Sequence, residues 1–468
     1  MQATREAAQE SDPPAARKGW LFSIAPAYLG LFVWLAFFDE VWCFLAGAAS
    51  PRLAEGILDV VLAALVSTGL LFLGLAFWGS RTGLSERPLA ERTFGARGAR
   101  VLTGIGLGLA HLSIYALAIG FAVETTLLGF VACGLIAHQQ LGTVALGPLL
   151  VRSPVFLTTA AFWIFITATA ESMGLAGVIA ALMRVYAPTA LVVITAVGGW
   201  IALQGKPSFE VETAAVTDSA NGSFARMLYG LLAVAAMTAP RWGARAKSRR
   251  DLNLGAFLGI ALPAIWVALV ALFAVLPSAR QEFSIPPGLP PAGLSFRFVI
   301  LHQLNPLVAS ATLLALGLAA VAPAYFACHE FTERISADCS PRTRGLAIWG
   351  GAGAAFLMVM PRPWLSLADV AGLLGELVAP LIGAMLAASL GWWADADEPP
   401  RTMNAAGVTA WLAGSLAGLA LDGFTRFFPG LAGGAFPPAF YGFATAFVVP
   451  RIMRRPSRLG KASGSGHN

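Results

Sequence analysis

Between Ala25 and Gly47 the chain reads APAYLGLFVWLAFFDEVWCFLAG, 23 residues interrupted in their apolar run by Asp39 and Glu40. About 18 or more apolar residues in a row are enough to cross a bilayer as a helix. An acid within such a helix costs roughly 2.5–3.5 kcal/mol on insertion scales, so it faces a cavity or a partner. Neighbouring residues sit about 100° apart around a helix. Asp39 and Glu40 therefore reach one site together only where the helix locally unwinds, as discontinuous helices do at transport sites. A second reading ends the span at Phe38, counted from Trp20, and leaves both acids at the outer interface. Both readings stay open on the sequence.

The rest of the chain repeats the pattern. Of its 468 residues 57% are hydrophobic and 12% are charged. Soluble domains carry about 25% charged residues, so the composition implies an integral membrane protein. Apolar–polar alternation is absent from the long segments, which favours helices over an outer-membrane barrel. Twelve spans are expected, at about 20–48, 57–79, 101–123, 154–172, 186–204, 224–240, 254–276, 304–328, 346–360, 368–393, 404–421 and 437–453. The stretch 124–150 is apolar but holds Glu124, His138, Gln139 and Gln140. It reads equally as an extension of the third helix, a re-entrant segment or a thirteenth span.

With the amino terminus inside, 23 of the 31 Lys and Arg residues fall on the inner side. That asymmetry supports an even span count and two cytoplasmic termini. The net charge of +6 is thus a mark of topology and no nucleic-acid signal. A tail over 1–19, a membrane domain over 20–453 and a second tail over 454–468 follow. Cys43, Cys133 and Cys328 lie in apolar runs and, with Cys339, show no paired spacing, so buried thiols are expected and neither disulfides nor a zinc site. The five histidines show no metal spacing, and no G-x-S-x-G, H-E-x-x-H or Walker loop occurs. Neither an enzyme nor a metal or cofactor protein is expected.

Several residues are polar where the chain is otherwise apolar. His111 and Tyr115 lie four apart, on one helical face; they read as a hydrogen-bonded core pair or as part of a site. Glu376, within the tenth span, is a proton carrier or an ion-pair partner. Glu171 and Glu330 close the fourth and eighth spans and are expected at the interface and in solvent respectively. Pro240, Pro323 and Pro380 are expected to kink or break their helices. Gly104 with Gly108, and Gly414 with Gly418, give small faces for helix packing.

The loop RTGLSERPLAERTFGARGARV, Arg81 to Val101, is basic, with Glu86 and Glu91 as local partners for its arginines. It resembles the loop between the second and third helices of the nucleobase–cation symporters, the permeases for cytosine, purines, uracil, thiamine and allantoin. ARAKSRRDLNLGAFLGI (Ala244–Ile260), LLGELVAPLIGAMLA (Leu373–Ala387) and NAAGVTAWLAGSLAGL (Asn404–Leu419) are similar to three further stretches of that family, in order. The resemblance covers roughly residues 20–450. It implies an all-α LeuT-type fold, with inverted repeats over about 20–204 and 224–393, extra helices over 404–453, and broken first and sixth helices.

The family's ligand residues fall on Ser113 and Leu117 in the third helix, about Leu232 and Arg241 in the sixth, and near Pro323 in the eighth. Ser310 and Thr312 lie more than two turns too early for the sodium hydroxyls. Substrate-binding candidates are Asp39, Glu40, His111, Ser113, Tyr115, Leu232, Thr238 and Pro323, with Tyr115 standing in for the missing aromatic platform. Coupling candidates are Asp39, Glu40 and Glu376, with a proton rather than sodium as the coupling cation. The expected function is cation-coupled transport of a small polar solute, nucleobase-like or another heterocycle, in a bacterial inner membrane. The alternatives are transport of an amino acid, amine or osmolyte by the same fold, and a non-transporting sensor or assembly partner.

Overall fold

The computed structural model describes residues 19–20, 53–146, 149–204, 223–275, 296–336, 339–361, 367–391, 402–427 and 437–453. In lipid every backbone polar group must be satisfied within the chain, and helices do so. The elements are α1 (Leu53–Val66), a π-helical segment (Ser67–Phe72), α2 (Leu73–Thr82), α3 (Glu86–Ala99), a second π-helical segment (Arg100–Gly106) and α4 (Leu107–Ala132). A 3₁₀ turn (His138–Leu141) and strands β1 (Thr143–Leu146) and β2 (Leu149–Arg152) follow. Then come α5 (Pro154–Ser172), α6 (Ala176–Gln204), α7 (Ser223–Ala236), α8 (Ala239–Arg245) and α9 (Arg249–Ala256). A third π-helical segment (Phe257–Ala261) leads into α10 (Leu262–Val275), and α11 is Phe296–Gln303. The chain continues through α12 (Pro306–Ala319), α13 (Val321–Ser336), α14 (Pro341–Val359), α15 (Leu367–Ser389), α16 (Ala405–Phe427) and α17 (Pro438–Met453).

Helices stand at each expected span from the second to the twelfth. The first span, with Asp39, Glu40 and Cys43, lies outside the described residues. Seven described helical stretches are long and apolar enough to cross a membrane, or eight if the bent pair within α6 is one span. The chain is a multi-pass membrane protein. The stretch 124–150 is no thirteenth span: α4 runs on to Ala132, and a hairpin pairs Thr143 with Arg152 and Leu146 with Leu149. That hairpin also joins the ninth span, because Arg152 N–H donates to Met360 O at 3.0 Å. Because α4 stops at Ala132, Cys133 is exposed, against the expectation of a buried thiol; Cys339 is exposed too, and Cys328 is buried.

The proline expectations divide. The sixth span breaks between α7 and α8, two residues before Pro240. The eighth is interrupted at Ala320, three residues before Pro323. The tenth runs unbroken through Pro380, whose ring instead packs against Gly414 and Gly442 of α16 and α17. The expected basic loop after the second span is also helical, with α3 following a left-handed turn at Gly83 (φ 70°) that ends α2.

The helices pack in two sets. In one, α4 lies against α12, α13 and α14, with α5 beside them. In the other, α7 lies against α15, which packs on α16 and α17, while α8 lies against α2. Direct contact of α7 or α15 with α4 is slight. Within the second set backbones touch at glycine. A Cβ on Gly230 of α7 would lie 1.9 Å from Ala371 O of α15. A Cβ on Gly243 of α8 would lie 1.8 Å from Ala76 O, and one on Gly79 of α2 would lie 2.1 Å from Pro240 O.

Candidate functional site

The break in the sixth span is set by three residues, Met237, Thr238 and Pro240. Pro240 has no amide hydrogen, and its ring clashes with the carbonyl four residues back, so a regular helix cannot pass through it. Thr238 competes for the helix backbone: its Oγ1 donates to Ala235 O at 2.8 Å, and its N–H donates to the same oxygen at 3.1 Å. Met237 N–H turns back to Val234 O at 3.3 Å. Proline then serves in the first turn of α8, where a missing amide matters least. The two halves have different partners: α7 rides on α15, and α8 rides on α2.

Around this break the candidate residues separate. Leu232 is buried in α7, Thr238 lies half-buried at the break, and Pro323 is buried in α13. Ser113 is half-buried, and its hydroxyl donates to Leu109 O at 3.1 Å. His111 is buried, with Nδ1 2.7 Å from Leu107 O. A carbonyl only accepts, so Nδ1 carries the hydrogen and Nε2 is left as the acceptor of the neutral ring. Tyr115 is enclosed as well. It is 0% exposed, and its hydroxyl meets Thr167 Oγ1 of α5 at 2.7 Å. Its hydroxyl thus ties α4 to the fourth span.

Charged groups meet at both ends of the bundle. On the side of the basic loops, Arg241 of α8 donates to Glu330 Oε1 of α13 at 2.9 Å and also to Glu86 of α3. Arg334 donates to Glu330 Oε2 at 3.2 Å and to Thr103 O at 3.2 Å. Glu330 is therefore not a solvated helix end; it is buried because two guanidinium groups satisfy it. Glu86 likewise leaves the local arginines to Glu91, which pairs with Arg87 at 3.3 Å. Beside this network, Glu171 is 2% exposed rather than interfacial. It is held by His329 Nδ1 at 3.0 Å and by Arg344 at 3.0 Å, and Arg344 also reaches Glu333 at 2.5 Å. The oxygens of Glu171 and Glu333 and the His329 ring approach closely enough for a metal ion. The Arg344 guanidinium already supplies the positive charge there.

On the opposite side, Glu376 of α15 is fully buried, and its Oε1 accepts from Arg226 Nε of α7 at 2.9 Å. Arg226 also meets Asp422 of α16 at 2.9 Å. Of the two roles open for Glu376, this geometry fills that of ion-pair partner. Glu124, in the last turns of α4, pairs with Arg152 at 2.8 Å and with Arg297 at 3.1 Å. Sequence reasoning counted Arg226 only as a charge near a helix end and noted Arg241 only as a loop charge and as the place of a family ligand residue, without a partner for either. The available signal was position: both fall within the span expected over 224–240 or at its edge, where an ionisable residue calls for a partner.

Three buried hydroxyls were also missed. Ser67 and Thr68, in the first π-helical segment, and Tyr229, in α7, make no side-chain hydrogen bond among the described residues. The segment and α7 pack against each other. Buried polar groups are normally paired, and π-helical turns concentrate at functional sites.

A helix broken in mid-bundle between two helix sets, with ion pairs at either end, is the arrangement of LeuT-type membrane proteins, and this chain has that fold. It is similar to Mhp1, a nucleobase-cation-symport-1 family transporter, in a closed conformation with bromovinylhydantoin bound. The TM-score is 0.56 at 15% identity, over 94% of each chain. A sodium-coupled sialic acid symporter in a substrate-bound outward-open state gives 0.54 at 12% identity, over 94% of this chain and 90% of the other. MhsT in complex with L-phenylalanine gives 0.53 at 15% identity, over 93% and 98%. No protein-family model matches the chain, and no curated protein matches it significantly.

Proposed function

We propose that this chain is a secondary-active, cation-coupled transporter of a small polar solute, of nucleobase or other heterocyclic type, in a bacterial inner membrane with both termini cytoplasmic. The observation that carries the reading is the break at Met237–Thr238, whose two halves are packed on different helices. Helix ends at such a break leave backbone groups without helical partners, and these hold a solute or an ion. The nucleobase-type solute is favoured by the Mhp1 likeness together with the family-like loops. Asp39 and Glu40 are the proposed charged side of the site, with Ser113, Leu232, Thr238, Pro323 and His111 around it. Tyr115 is left out for the reason given above. A proton is the proposed coupling ion. The acids in the first span supply a carrier, while Ser310 and Thr312 sit in α12, before the interruption of the eighth span.

A second reading, a sensor that binds without transport, draws on one observation: Tyr115 is buried with its hydroxyl held by Thr167, which argues against its use as an aromatic platform. Two measurements separate the readings. The first is a thermal-shift screen of nucleobases, vitamins and amino acids against the purified protein, since a ligand of the folded state raises its apparent stability. The second is uptake of the hit into proteoliposomes under an imposed pH gradient or a sodium gradient. Transport is expected with the pH gradient alone. Uptake driven by sodium alone would remove the proton, and binding without uptake would leave the sensor.

A further inference from the structure

The end of α2 and the turn from α8 to α9 form a basic patch that the transport reading does not use. Arg81, Arg245, Lys247, Arg249 and Arg250 are all exposed, and none makes an ion pair among the described residues. The two segments are adjacent in space, because Gly243 packs against Ala76 and Ser80: a Cβ there would lie 2.9 Å from Ser80 N. Among the described residues one carboxylate, Asp251, lies with these five cations and offsets part of their charge, chiefly that of Lys247 and Arg250. Asp251 Oδ1 accepts from Trp20 N–H at 2.9 Å, and Oδ2 accepts from Ser248 at 2.5 Å.

Depth decides what such a patch meets. Phe257, Leu258 and Leu262 are 42%, 39% and 51% exposed, which marks a lipid-facing surface. They begin about 10–12 Å of helix beyond Arg250, at 1.5 Å per residue. Trp20, half-buried and tied to Asp251, is the residue type that settles at headgroup level. The cations therefore stand at the height of phosphate groups, with acyl-chain surface directly beneath. A general excess of inner positive charge orients a chain, but it does not require five cations against one carboxylate, among the described residues, on two segments packed together.

We infer that this patch is a binding site for the phosphate of an anionic phospholipid headgroup, with its acyl chains along Phe257, Leu258 and Leu262. Arg245 is the last residue of α8, so a bound lipid holds the inner half of the broken helix against α2. Each basic residue near an anionic surface contributes roughly a fivefold factor in affinity. Binding can be read without transport, so the inference stands apart from the proposed function.

The test compares melting of the whole protein in phosphatidylcholine nanodiscs with melting in nanodiscs of equal parts phosphatidylcholine and phosphatidylglycerol, with retained lipid read by native mass spectrometry. The wild type is expected to melt higher with the anionic lipid and to retain it. Arg81→Gln/Arg245→Gln/Lys247→Gln/Arg250→Gln is expected to melt as the wild type does in phosphatidylcholine and to lose both responses. Arg92→Gln/Arg97→Gln, which changes exposed charge on α3, is expected to keep them. An equal loss in that second variant would reduce the patch to diffuse surface charge and overturn the site. So would an unchanged response in the fourfold variant, or equal stabilisation by inorganic phosphate without anionic lipid. If the fourfold variant does not fold, Arg81→Gln alone and Arg245→Gln/Lys247→Gln are read the same way.

Discussion

Arg241 and Glu330 lie 2.9 Å apart and join helices that otherwise belong to different packing sets, α8 with α2 and α13 with α4. The pair is half-enclosed: Arg241 retains 27% side-chain exposure and Glu330 12%. A charged hydrogen bond of this kind is worth roughly 1.5–3 kcal/mol. Arg241→Gln should lower stability by about that much and loosen the end of the bundle that carries the basic loops. A single cysteine at Thr238→Cys, in a background without native cysteines, should then label roughly tenfold faster from the side of the basic loops. Unaltered labelling with a lowered melting temperature would make the pair a brace with no part in access.

The Arg226–Glu376 pair is more deeply buried, and removing one partner leaves an unpaired charge. Glu376→Ala is expected to cost about 3–5 kcal/mol. Arg226→Leu combined with Glu376→Leu and Asp422→Asn should cost less than Arg226→Leu alone, which removes the cation between the two acids, as melting of the purified variants will show. A proton carrier behaves otherwise: Glu376→Gln would keep its melting temperature and lose uptake driven by a pH gradient.

Backbone contact at glycine gives a sharper structural test. Gly243→Ala and Gly230→Ala each place a methyl group within 2 Å of a carbonyl oxygen on the facing helix. Helices must part to admit it, and overpacking of this sort costs roughly 1–3 kcal/mol. Gly120→Ala and Gly350→Ala, with nothing within 4 Å, should melt at or slightly above the wild-type temperature.

Tyr115→Phe removes the hydroxyl that meets Thr167 and should cost about 1 kcal/mol. Uptake should keep its KM, because the hydroxyl is held by Thr167 of α5. A raised KM in Tyr115→Phe would return this residue to the solute site.

Much of the architecture was legible because membrane helices announce themselves by length. Each expected span from the second onward has its helix, and Pro240 marked the break in the sixth to within two residues. The errors share one cause. Glu171, Glu330 and Glu86 stand near helix ends, where sequence position suggests water, yet each is buried against an arginine from a distant segment. Arg344 lies 173 residues from Glu171, and Arg241 lies 155 from Glu86. Such pairings are tertiary and have no local signature. The partner of Tyr115 was likewise out of reach: helical spacing placed it on the face of His111, but that its hydroxyl meets Thr167 depends on how α4 lies against α5. Pro380 shows the reverse, a breaker absorbed because Gly414 and Gly442 make room for its ring.

The close approach of α8 to α2 has a mechanical meaning. With Gly79 and Gly243 seating each helix directly on the other's backbone, the two cannot slide without collision. They must travel as a welded lever, so the bending that any rearrangement demands is concentrated in the short unwound link at Met237 and Thr238.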